Sequence, residues 1–151
     1  MGEKAGFRVN LASDSSASFF NANERSRFGV HLGSYIRLSG KWEVAVTQII
    51  TAKTEKETAS PLYIYSSISV KVVVSDTMSR CLRILPPLSH TAINHFILDS
   101  PYYERVEFQE FQDIRIYLND RQGNKYPLDN TLDATPTVIV LHFRPVQDAK
   151  E

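Results

Sequence analysis

The sequence predicts an all-β chain, a single jelly-roll β-sandwich of about eight antiparallel strands. Three observations predict it. Apolar and polar residues alternate in short runs along the 151 residues, which is the period of a half-buried strand. Turn residues separate those runs, and no stretch holds a capped helical period. The best helix candidate, around Gln109–Asp113, is short. Several of the intervening loops are long for simple hairpins, which favours Greek-key crossovers of the jelly-roll kind.

Phe7, Val9 and Leu11 alternate with Arg8 and Asn10 and open the first strand. A small polar loop follows, interrupted by Phe19-Phe20. Adjacent aromatics there are expected to pin the loop to the body of the domain, or else to form a contact patch. Phe28, Val30 and Leu32 mark a second strand, and Tyr35–Leu38 a short third piece. Ser39-Gly40 reads as a tight turn before Trp42, Val44 and Val46, the clearest strand of this half. A Trp at that place is expected in the core.

Lys53–Thr58 is charged and predicts a solvated loop. Leu62–Ser75 is too long for one ordinary strand, so a bend or bulge is expected near Ser66-Ser67. Leu82–Leu85 is stopped by Pro86-Pro87, since consecutive prolines cannot continue a ladder. Ala92–Leu98, Val106–Phe108 and Ile114–Leu118 are further runs, with the strongest turn signal at Asn119–Asn124. Val138–Phe143 is the last strand. One domain over residues 1–151 is expected, with a core at about 7–144 and flexible ends at 1–6 and 145–151.

Seventeen basic and seventeen acidic residues give a formal net charge of zero. Dedicated nucleic-acid binders normally carry a basic excess, because phosphate contacts supply most of their affinity, so no direct nucleic-acid role is expected. Zero net charge also opposes self-association less than a strongly charged surface would. Cys81 is the only cysteine, which excludes an intrachain disulfide, and its strand-like surroundings predict a buried structural thiol. The N-terminus has no apolar signal region, and no apolar stretch approaches a membrane span.

Catalytic constellations are missing. His31, His90, His95 and His142 match no zinc spacing. There is no nucleophile elbow, phosphate-cradling glycine loop or dinucleotide fingerprint. Asp14 and Asp99 each precede Ser without forming a motif. Glu104, Glu107 and Glu110 recur every third residue and are expected to be solvated charges rather than a cation site. Tyr63/Tyr65 and Tyr102-Tyr103 could line a sugar platform, serve an interface or simply satisfy strand propensity. The expectation is a chain that is not an enzyme, with no catalytic, cofactor or metal residues, no cofactor, and no assigned binding residues.

Leu38-Ser39-Gly40-Lys41-Trp42-Glu43-Val44-Ala45-Val46 resembles the small capsid proteins of Polinton/Maverick elements and related adeno-like DNA viruses. The likeness extends to Phe7–Ser13, Phe28–Leu32, Ile114–Asp120 with Gly123, and Val138–Arg144. The stretch from Lys53 to Glu104 departs from the family pattern, so loops that meet neighbouring capsomers are expected to differ. What the resemblance implies is a penton-like minor capsid protein with a single jelly roll. It would assemble as a homopentamer at icosahedral vertices, contact the major capsid protein, and reside in the virion after synthesis inside the host cell. The alternative is a trimeric receptor- or carbohydrate-binding β-sandwich module.

Overall fold

The computed structural model describes residues 6–74 and 77–147; for Val73, only the backbone. Eleven strands are present among them. They are β1 (Phe7–Ala12), β2 (Arg27–Arg37), β3 (Trp42–Thr51), β4 (Leu62–Ser66), β5 (Val72–Val74), β6 (Thr77–Ser79), β7 (Cys81–Leu85), β8 (Asn94–Ile97), β9 (Glu104–Arg105), β10 (Glu110–Asn119) and β11 (Val138–Pro145). One sheet runs β1-β11-β3-β8, with β9 added beside β3; the second runs β2-β10-β4-β7. Every pairing is antiparallel. Apart from β4 to β7 and β8 to β9, which stay in one sheet, the chain crosses between two stacked sheets from strand to strand, which is a jelly roll. The β5–β6 hairpin is an insertion between β4 and β7.

Alternation builds the core. Leu11, Val44, Val46, Ile49, Ile139, Leu141 and Phe143 point inward from the first sheet, and Phe28, Val30, Leu62, Ile64, Ile114, Ile116 and Leu118 from the second. Phe7 stacks on Phe143 with ring centroids 4.9 Å apart, and Trp42 tilts against Phe7 at 5.6 Å. At Thr47 the first sheet bulges. Val140 faces Gln48 and Leu141 faces Val46, so Thr47 is the extra residue, and its hydroxyl donates to Val140 O at 3.2 Å.

Three local expectations change. Of the helix candidate at Gln109–Asp113, Glu110–Asp113 is the start of β10, because pairing with β2 supplies ladder bonds that a single helical turn cannot match. Tyr35–Leu38 is not a separate strand: Tyr35–Arg37 ends β2, and Leu38 follows it. Between His31↔Asp113 and Ile36↔Phe111 the strand spends Leu32–Tyr35 against Gln112 alone, and the Gln112 amide donates to Leu32 O at 3.0 Å. In the charged loop after β3, Thr54 is buried rather than solvated, because its backbone bridges to Leu128.

The expected bend near Ser66-Ser67 is present: β4 ends at Ser66, and Ser67 N–H turns to donate to Arg115 O at 3.0 Å. Most of the ends expected to be flexible, 1–5 and 148–151, lie outside the described residues. Within them, Pro145 still pairs with Trp42, and Val146 N–H donates to Lys41 O at 2.9 Å.

Candidate interaction surfaces

The residues that sequence singled out for chemistry are dispersed. His31 Nδ1 meets Asp113 Oδ1 at 2.7 Å on the outer face of the second sheet, and Phe19 stacks on its ring at 4.0 Å. His95 Nε2 lies 2.8 Å from the Gln48 amide on the outer face of the first sheet. His90 is exposed in the β7–β8 loop. His142 Nδ1 sits 2.8 Å from the Tyr103 hydroxyl; burial first, then the neighbouring Arg8 and Arg144, hold its pKa below the usual histidine value. Among the described residues no three His, Cys, Asp or Glu side chains converge to hold a metal ion.

The spaced glutamates separate too. Glu107 pairs with Arg80, whose hydrogen bond holds its pKa low, and Glu110 pairs with Arg37 at 3.2 Å. Glu104 sits in β9 opposite Val44, where burial raises its pKa. Asp14 and Asp99 are exposed. Cys81 is buried, and burial pushes its thiol up to about 11, so it stays protonated at neutral pH.

The tyrosine pairs do not share a platform. Tyr63 and Tyr65 lie half-buried on the outer face of the second sheet, where Tyr65 stands opposite Tyr117. Tyr102 and Tyr103 approach β9 by way of the loop after β8. The Arg83 guanidinium covers Tyr102 at 4.1 Å, and that of Arg144 covers Tyr103 at 3.5 Å. Phe20 pins its loop to the body of the domain. Its ring lies against Gly29, where a Cβ would stand 2.8 Å from two of its carbons.

What the sandwich leaves open is apolar surface at its rims. Edge strands β7 and β8 lie on the same side, since Arg83 on β7 donates to Ser100 O just past β8 at 3.1 Å. That side exposes Ile84 at 49% and Ile97 at 65%. The opposite side is formed by edge strands β1 and β2. The Asn23 amide, in the loop before β2, accepts from Gly29 N–H and donates to Gly29 O, each at 2.9 Å, so it imitates a neighbouring strand and covers the first half of that edge. The second half carries Tyr35, 61% exposed on the slack of β2.

The sequence reading passed over Ile84, Ile97 and Tyr35 as surface residues. Ile84 did carry a signal, because Ile84-Leu85 places two apolar side chains in succession where alternation allows one inside.

No family model matches the chain, and no curated protein matches it in sequence. Among solved structures, the crystal structure of selenomethionine-labelled mavirus penton protein is similar in fold. The match has a TM-score of 0.62 and covers 94% of this chain and 100% of that one, at 9% sequence identity.

Proposed function

We propose that this chain is a structural protein of a virus particle, a penton-like minor capsid protein that forms icosahedral vertices by self-assembly as a homopentamer. The observation that carries this reading is the whole-length likeness to a penton protein, with no large segment of either chain left over. Dispersed histidines, paired glutamates and a protonated buried thiol fit a role that is not enzymatic. The virion is then its location and the major capsid protein its second partner, with no direct role for nucleic acid.

Two rims of different character suit a ring. The β7–β8 side of one copy, with Ile84 and Ile97, would meet the β1–β2 side of the next, with Tyr35. Such a contact joins two unlike patches, and a rotation of one-fifth turn closes it. Residual gaps would be covered by the surrounding shell.

The test is the mass of the purified chain in solution together with imaging of the assembled particle. Five copies of the 17.2 kDa chain, or density at five-fold axes, are expected. Density confined to other positions, or a stable trimer carrying receptor-binding activity, overturns the assignment.

A further inference from the structure

On the outer face of the second sheet, the loop between β1 and β2 overhangs a cavity of about 270 Å³. Gly29 and the Phe20 ring packed on it form one wall, and the doubly bonded Asn23 amide fixes the lip. Strand β10 supplies the other wall, because Arg115 stands opposite Gly29 and Tyr117 opposite Arg27. Cations and rings interleave there. The Arg115 guanidinium lies 4.9 Å from the Phe20 centroid, and that of Arg27 lies 6.0 Å from the Tyr117 centroid.

Neither arginine takes part in any ion pair among the described residues; the nearby carboxylates of Glu24 and Asp113 are committed to Lys125 and His31. Arg27 spends one terminal nitrogen on Asn119 Oδ1 and Gly123 O, at 3.1 and 3.3 Å. Its Nε is shut away from solvent without an acceptor. The other terminal nitrogen, Nη1, makes no hydrogen bond among the described residues and is the Arg27 donor left for an incoming acceptor. Two guanidiniums facing one cavity without a counter-charge also repel, and an anion between them relieves the repulsion.

We propose that this cavity binds a small oxyanion carried on a ring, with the oxyanion accepting from Arg27 and Arg115 and the ring lying against Tyr117 and Phe20. The volume is just under the usual range for small-molecule sites, which admits one ring with its acid group and leaves a bare ion loosely held. The oxyanion is a carboxylate if the ligand is an acidic sugar and a phosphate if it is a nucleotide.

Calorimetric titration of the full chain at low salt tests the site, whatever the number of copies in the assembly, so its outcome is separate from that of the penton reading. The probes are glucuronic acid, adenosine monophosphate, neutral glucose and inorganic phosphate. Saturable binding of glucuronic acid or adenosine monophosphate is expected, and whichever binds more tightly identifies the acid group. Glucose and inorganic phosphate should each bind at least about tenfold more weakly than the better acid. Arg115→Gln should weaken that acid about tenfold or more at unchanged melting temperature, because Arg115 is exposed and its loss leaves no buried group unpaired. Gly29→Ala, which displaces the Phe20 ring that walls the cavity, should also weaken it. Absence of saturable binding by both acids overturns the proposal. So does equal affinity for glucose or inorganic phosphate, or an Arg115→Gln variant that binds as the parent does.

Discussion

The Tyr126 hydroxyl donates a hydrogen bond to the carbonyl oxygen of Ser60 at 2.7 Å, from a ring that solvent barely reaches. The Tyr126 hydroxyl oxygen in turn accepts from Leu88 N–H at 3.1 Å. One side chain from the β10–β11 loop thus ties together the β3–β4 and β7–β8 loops at one end of the sandwich. Tyr126→Phe keeps the ring and removes both bonds, leaving a buried N–H and a carbonyl without this partner. A loss of about 1–3 kcal/mol is expected. Urea unfolding followed by fluorescence measures it; a change within about 0.5 kcal/mol would mean that water replaces the hydroxyl without cost.

Trp42 shows why part of the fold is legible in sequence. Ser39-Gly40 reverses the chain, Gly40 adopts a φ of 86°, and the apolar parity of Trp42, Val44 and Val46 then fixes which face is buried. Each of those signals is local. The indole N–H donates to Ser39 O at 3.0 Å, so the turn and the core anchor support each other. Trp42→Ala is expected to cost about 3–5 kcal/mol, and Trp42→Phe less, because it removes only the second ring and the hydrogen bond. Equal losses from the two substitutions would show that the hydrogen bond, not the packing, carries the effect.

Other features were hidden because they depend on strand order. Tyr126 is buried by loops remote in sequence, and Asp113 belongs to a strand because β2 lies beside it. The cavity between Phe20 and Arg115 joins residues that only the β2–β10 register brings together. Alternation assigns a residue to a face, but it does not say which strands become edges. For that reason Ile84 and Ile97 were not recognisable as rim residues before β7 and β8 were placed outermost.

His142 makes acid stability testable. Its pKa in the folded chain lies below 6.5 through burial and the charges of Arg8 and Arg144. As pH falls below about 6.5 the unfolded chain takes up this proton first, so stability declines from there to the folded pKa and then levels. The carboxyls of Glu107 and Asp129 are shifted down from 4.5 and 3.8, so their contributions fade only at lower pH. The melting temperature should therefore fall more steeply in the parent than in His142→Gln between about pH 7 and 5. Parallel curves in that window would contradict the assigned direction.

The rims give the last prediction, which rests on the ring reading. Ile84 and Ile97 are exposed on β7 and β8, so replacing both with Lys should leave the monomer fold intact while placing a charge on each edge strand of that side. Tyr35→Lys places a charge on the opposite side in the same way. Each variant alone is expected to run as a monomer in light scattering, with unchanged circular dichroism. Mixing them separates interface types. In a ring built by unlike patches, the Tyr35→Lys copy still offers its isoleucine side and the Ile84→Lys/Ile97→Lys copy still offers its tyrosine side. One good contact can form and none can follow, so the mixture should yield heterodimers and nothing larger. A two-fold interface formed by the isoleucine side meeting itself behaves differently: the Tyr35→Lys variant would then dimerise on its own, and adding the other variant would change nothing.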